Sequence, residues 1–224
     1  MYYRLRDGLY HCLAGRRVIF LDLIHDRYFA LPPACGITFQ KLVSRRGEGF
    51  DGAHEALSLL IGRGNLIETL VPDGSLSATF IHSVKTDHQA RKLPMAHIPT
   101  LVLALYWELT ISIQLRRRPL SAVIERAAEI PFAERPDSAK TGSPMPRIVS
   151  AFEYTAFVFG RTNRCLARSL AMFSLCRARG IPVQFVIGVR SDPFAAHAWV
   201  QIDAAVLNDT AEQVNLYTPI LVVE

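Results

Sequence analysis

The sequence predicts an α+β chain built as two successive domains. Three observations carry this expectation: short strands followed by helical stretches in residues 1–72, a polar and turn-rich stretch over 73–92, and a second part, 93–224, in which helices come first and strands last. With 224 residues, half of them hydrophobic, the chain has enough material for two small cores.

In the first domain, LYHCLA, RVIFLDL and RYFAL read as strands over residues 9–31, joined by turns at Gly15-Arg16 and His25-Asp26. An antiparallel meander is the simplest arrangement. Pro32-Pro33 ends it, and helical stretches at 34–44 and 52–62 follow, separated by Arg45-Arg46-Gly47-Glu48-Gly49. Asn65 to Val71 adds a short strand, Pro72-Asp73-Gly74-Ser75 marks a turn, and the polar residues to Lys92 read as a linker. In the second domain an apolar helix runs from Pro99 to Arg117. Glu108 and Gln114 within it favour a buried helix over a membrane span. Pro119 is placed to start another helix, reaching Ala128. Four prolines make 131–146 a loop, and from Ile148 the pattern is helix, break, helix and three strands.

Composition narrows the function classes. The net charge of +5 raises the question of nucleic acid, but residues 1–72 hold nine Lys or Arg against seven Asp or Glu, too slight an excess for a nucleic-acid footprint. The four cysteines contain no Cys-x-x-Cys pair, and Arg4, Arg6 and Asp7 interrupt any secretory signal after Met1. A cytoplasmic protein with reduced thiols is expected. His82, His88 and His97 lack metal-ligand spacing, so no metal is expected. Arg116-Arg117-Arg118 suits a helix end, where positive charge complements the dipole.

The chemistry concentrates after Arg161. CLARSLAMFSLCRARG reads as a helix capped by Thr162 or Asn163 and stopped by Gly180 and Pro182. Cys165 then falls in the first turn, where unpaired N–H groups and the helix dipole favour a thiolate, with Arg161, Arg164 and Arg168 adding positive potential. Alone, such a cysteine reads as a small buried residue. The strands downstream change that. VQFVIGVR is one strand, and AHAWVQI is the next, with His197, Trp199 and Gln201 on one face. A hairpin centred on Asp203 sets His197 opposite Asp209. A two-residue turn at Asp203-Ala204 puts Asn208 on the histidine's face instead. Either residue can orient an imidazole. Thiol, base and orienter together suffice for nucleophilic acyl transfer.

The strings C-L-A-R-S-L-A, V-I-G-V-R, D-P-F-A-A-H-A-W-V and V-L-N-D, in this order, resemble the transglutaminase-like peptidase domain of lasso-peptide biosynthesis B proteins. The resemblance spans Ile148 to Tyr217 and implies a papain/transglutaminase-like cysteine peptidase fold with Cys165, His197 and Asp209 as its triad. It therefore implies the register centred on Asp203. D-R-Y-F-A-L and the helices after it are similar to the family's winged-helix-like precursor-recognition element. That likeness implies leader binding by Tyr28, Phe29 and Leu31 on the strand and by His54, Leu57 and Ile61 on the helix. The implied activity is hydrolysis of the leader–core bond of a lasso-peptide precursor, with a cyclase as partner and no cofactor. Two departures stand out: Gln201 replaces a common Glu, and Asp203-Ala204-Ala205 lacks the glycine usual in that turn. Two other functions share these residues: an amine acyltransferase using the same thioester, and a peptide-binding scaffold without catalysis.

Overall fold

Residues 1–76, 81, 83–87, 97–132, 144–160 and 163–224 are described by the structure, a computed structural model. Contacts divide the chain into two units. The first comprises Met1–Phe80 with Val189–Ala195 and Thr218–Leu221, and the second Ile81–Gly188, Ala196–Tyr217 and Val222–Glu224.

In the first unit the expected meander forms. Strands β2 (Leu9–Ala14), β3 (Arg17–Asp22) and β4 (Arg27–Ala30) pair antiparallel in chain order, with Ala14 opposite Arg17 and Asp22 opposite Arg27. Gly15 and Asp26 turn the chain at positive φ, 59° and 48°. Such backbone suits glycine and, among other residues, aspartate. Helix α1 (Pro33–Ser44) follows, and Phe39 and Leu42 on it pack with Phe20 and Leu66 in one core. The helix expected over 52–62 breaks at Leu57 into α2 (Ala53–Ala56) and α3 (Ser58–Gly62). A strand not foreseen, β1 (Tyr2–Leu5), pairs antiparallel with β5 (Leu66–Thr69). Tyr3 and Leu5 face the core while Arg4 is half-buried, a period-two pattern over four residues that is too short to identify from sequence.

A buried carboxylate ties the meander's ends. Asp22 has no exposed side-chain surface and is paired with Arg6, His25 and Arg27. Burial alone would raise its pKa, but hydrogen bonds from Arg6 and His25 and the charge of Arg6 hold it down at about 2. Stability from this group is therefore complete above the unfolded carboxylate value and is lost as pH falls towards about 2. Asp22→Asn is expected to cost about 3 kcal/mol, because it leaves Arg6 without its counter-charge. Urea melts at neutral pH and at pH 3 check this, with a smaller difference between the two proteins at the lower pH.

The second unit holds helices α4 (Ile98–Arg117), α5 (Leu120–Ala128), α6 (Met145–Phe159) and α7 (Cys165–Ala178), and the chain's five-stranded sheet has the order β10-β7-β8-β9-β6, with Val189–Ser191, Phe194–Ala195 and Thr218–Leu221 of its strands counted in the first unit. Its strands are β6 (Thr86–Asp87), β7 (Gln184–Ser191), β8 (Phe194–Ile202), β9 (Ala205–Val206) and β10 (Thr218–Val223). Neither β6, within the stretch expected as linker, nor β10 was anticipated; the same holds for the one-turn helix α8 (Ala211–Val214). Helix α7 is buried continuously from Arg168 to Cys176, and Gly180 ends it at φ 65°, where the Ile181 N–H reaches back to the Cys176 carbonyl.

Helix α4 differs from the expected buried helix. Only Ala104, Glu108 and Ile111 are buried, whereas Ile98, Val102, Tyr106, Leu109 and Ile113 are exposed. By length and composition it is apolar enough to cross a membrane, yet it carries a buried carboxylate and packs on α6 and α7. Several expectations fall outside the described residues: the Thr162 cap and Arg161, His82 and His88, much of the 73–92 stretch, and most of the proline-rich loop.

Candidate active site

Helix α7 begins at Cys165 itself, with Arg164 as the capping residue and no side-chain cap, so the expected cap by Asn163 is not formed. Asn163 instead takes a left-handed turn, φ 57°, into the helix. Arg164 does not lend its charge to the thiol. Its guanidinium donates to Oε1 of Glu108 at 3.1 Å and to Oγ of Ser112 at 2.8 Å. Glu108, buried at 1% exposure, also accepts from Thr155 Oγ1 at 2.7 Å. A buried ion pair between α4 and the residue preceding Cys165 thus anchors the start of α7. Arg168 is similarly occupied, donating to Glu153 and to the Phe152 carbonyl.

The thiol of Cys165 is hydrogen-bonded to His197 and to the backbone N–H groups of Leu166 and Ala198. Nε2 of His197 lies 2.6 Å from Oδ2 of Asp209, whose Oδ1 accepts from the Thr210 N–H at 2.7 Å. The three side chains therefore form one chain of contacts at the end of a helix. The hairpin register is nevertheless the other one considered. Gln201 pairs with Val206 and Ile202 with Ala205 around a two-residue turn at Asp203-Ala204, which corrects the register centred on Asp203. In that register Asp209 would project from the opposite face if the strand continued. The strand stops at Val206, and after Leu207 the chain leaves the ladder, which frees Asp209 to turn back towards the histidine. Thr210 then caps α8 through Gln213, holding the carboxylate's own peptide in place. Asn208, the alternative orienter, points elsewhere: it accepts from the Val200 N–H and donates to Ser169 Oγ, both at 2.8 Å.

The electrostatics follow this geometry. Burial pushes the Cys165 thiol up, but the hydrogen bond and charge of His197 outweigh it, and the thiol lies below its ordinary value. Burial pushes His197 down, against which its hydrogen bonds to Asp209 and Cys165 raise it to about 9. Asp209 is lowered despite burial, chiefly by its hydrogen bond to His197. Thiolate, imidazolium and carboxylate are the favoured charge states between the two shifted values, and the pair titrates as a unit. By contrast, burial drives Cys12 and Cys176 up to about 12 and leaves them inert.

The imidazole is held by aromatic walls. Its ring stacks on Trp199 at a centroid distance of 6.2 Å and lies 5.1 Å from Tyr217. Trp199 Nε1 donates to Gln201 Oε1 at 2.8 Å, and Gln201 donates in turn to the Asp203 carbonyl. An amide can accept and donate in this way, and a carboxylate cannot, so the departure at Gln201 fits this turn. Asp203 itself adopts φ 50°, a conformation that aspartate tolerates without glycine. A Cβ at Gly188 would come within 2.7 Å of the Trp199 ring. That requirement was legible as a glycine inside a strand.

Residues 105–222 match the family described as the transglutaminase-like superfamily. The chain belongs to that superfamily. Its transglutaminase-like region contains Cys165, His197 and Asp209 together with Glu108, Arg164, Ser169 and Asn208. A stretch of 45 residues is 42% identical to the Microcin J25-processing protein McjB of Escherichia coli, over 20% of this chain and 22% of that protein. The match thus spans about a fifth of that relative's length. No solved structure matches the chain.

The residues expected to bind a leader divide by exposure. Tyr28 and Phe29 are half-buried on β4, where Phe29 stacks on Phe20 at 4.9 Å and Tyr28 lies 5.5 Å from Phe194. Together with Ile19 they border a cavity of about 210 Å³ within the first unit. Leu31 and Ile61 are half-buried against the core, and His54 is exposed, 2.9 Å from Glu68. Leu57 differs from expectation: at 1% exposure it is a core residue with no surface to offer a peptide. Among the described residues no cluster of His, Cys, Asp or Glu is arranged to hold a metal.

Proposed function

We propose that this transglutaminase-like protein is a cysteine peptidase that removes the leader from a lasso-peptide precursor. The observation that carries the reading is the contact chain Cys165–His197–Asp209, with the thiol lowered and the imidazole raised at the start of a helix. The substrate class rests on the resemblance of the motifs to lasso-peptide B proteins and on the likeness to the Microcin J25-processing protein.

Cys165 attacks the carbonyl carbon of the scissile peptide, and electrons move onto its oxygen. The Cys165 N–H at the helix start is a donor for that oxyanion. Nε2 of His197 is committed to Asp209, leaving Nδ1 to exchange the proton with sulfur and then deliver it to the departing amine. The free core peptide leaves, and the leader remains as a thioester. Water, deprotonated by His197, hydrolyses the thioester and restores the thiol. Asp209 stays ionised throughout and stabilises the imidazolium. Delivery of that water, rather than an amine, to the thioester separates this reading from amine acyl transfer, and a scaffold without catalysis would form no thioester.

In this reading the first unit is a winged-helix-like recognition domain that seats the leader as a strand beside β4, using Tyr28, Phe29 and Leu31 with His54 and Ile61. The protein works in the cytoplasm beside a cyclase that closes the core peptide. Tyr28→Ala in the full chain is expected to raise KM for the precursor about 10-fold, as loss of a half-buried aromatic contact would. The rate at which Cys165 is alkylated should not change, since Tyr28 has no part in the proposed chemistry. Equal KM for wild type and Tyr28→Ala would remove β4 from the leader site. The reading as a whole is tested by whether the full chain cleaves a lasso-peptide precursor into leader and core.

A further inference from the structure

We infer that Ser169 and Asn208 are positioning residues that hold the proposed triad in register through one buried hydroxyl. Ser169 lies on α7 one helical turn after Cys165 and has 0% exposure. Its Oγ donates to the Ala198 carbonyl at 2.9 Å and accepts from Asn208 Nδ2 at 2.8 Å. Asn208 Oδ1 accepts from the Val200 N–H at 2.8 Å. The hydroxyl therefore meets the neighbours of all three proposed catalytic residues: its own helix carries Cys165, Ala198 follows His197, and Asn208 precedes Asp209. Ala198 is shared, because its N–H points to the Cys165 thiol while its carbonyl is held by Ser169.

The need for such a fastening follows from the hairpin. The ladder between β8 and β9 stops at Val206, so ordinary strand pairing fixes neither Asp209 against His197 nor the distance from β8 to the thiol. Asn208 replaces the missing pairing: its amide oxygen accepts the Val200 N–H, while its amide N–H₂ ties the same segment to α7. With Ser169 or Asn208 truncated, the Ala198 N–H and the His197 ring lose their set distance from sulfur. The thiolate then loses stabilisation and its pKa rises.

This inference rests on the triad assigned above, and its test needs no precursor. The pH dependence of iodoacetamide alkylation at Cys165 is measured by peptide mass spectrometry on the full chain, for wild type, Ser169→Ala, Asn208→Ala and Ser174→Ala. Ser174 is the control: it lies on the same helix, is equally buried, and spends its hydroxyl on the Leu170 carbonyl within α7. Ser169→Ala and Asn208→Ala are expected to raise the alkylation midpoint by about one pH unit. Ser174→Ala should keep the wild-type midpoint. Asn208 is only half-buried and decides the matter if Ser169→Ala does not fold. A wild-type midpoint in folded Asn208→Ala, or an equal shift in Ser174→Ala, would overturn the inference. Failure of the wild-type chain to cut any precursor would instead strike at the peptidase reading, with the alkylation comparison still standing.

Discussion

Replacing Cys165 by alanine is expected to abolish precursor cleavage, with a loss on the order of 10⁴-fold or more in kcat. The size follows from mechanism. Without sulfur there is no thioester, and the remaining oxyanion donor and substrate binding can supply only a small residual rate. The side chain is half-buried, and its removal takes away a few contacts rather than a large apolar volume, so the variant should melt close to wild type. Binding of precursor should survive, which makes this variant suitable for trapping the complex. Cys12→Ala and Cys176→Ala are the comparison, because burial pushes both thiols up to about 12 and keeps them out of the chemistry. Cleavage by Cys165→Ala at more than a trace of the wild-type rate would assign the nucleophile elsewhere.

The second large effect is expected at Asp209. Asp209→Asn keeps the size and one acceptor oxygen but removes the charge that helps raise His197 to about 9. A fall of roughly 10²–10⁴-fold in kcat/KM is expected, the range expected when the orienting carboxylate of a histidine base becomes an amide. The sign of the pH effect is also fixed. In wild type, activity is expected to rise as the thiol ionises below its ordinary value and to decline as the imidazolium, raised to about 9, deprotonates. Without the carboxylate the imidazolium is less stable, so the alkaline limb moves to lower pH and the active window narrows from that side. A pH–rate profile of Asp209→Asn with an unmoved alkaline limb would mean that the charge of Asp209 does not act on His197.

The sequence showed these residues better than it showed why they meet. Cys165 was legible because Thr162 or Asn163 read as a cap just before it and Gly180 and Pro182 as the stop, although the cap by Asn163 is not formed and the helix begins at Cys165 itself. His197 was legible from the period of two that also aligns Trp199 and Gln201. The hairpin register was not, since a one-residue slip is decided by the turn at Asp203-Ala204, where aspartate adopts the left-handed backbone more often given to glycine. Asp209 reaches the histidine because the strand ends, and strand ends carry no periodic signal. Asn208 was read as a rival to Asp209, whereas its amide fastens β8 to α7. Glu108 was read as a charge interrupting an apolar helix. Its partners, Arg164 and Thr155, lie 56 and 47 residues away in sequence, beyond any local pattern. In the first unit, β2, β3, β4 and α1 followed from alternation and from Pro32-Pro33. Strand β1 and the split at Leu57 did not, because each depends on packing against Leu66 and Phe39 rather than on local preference.

The central claim is hydrolysis through Cys165, and the masses of the products test it most directly. The 224-residue chain is incubated with a lasso-peptide precursor, and all peptides are weighed intact. The account predicts two products, a leader with a free carboxylate and a core with a free amine, whose masses together equal the precursor plus one water; neither should appear with Cys165→Ala. A precursor joined to an added amine with loss of ammonia or water, or the same two products from Cys165→Ala, would contradict it.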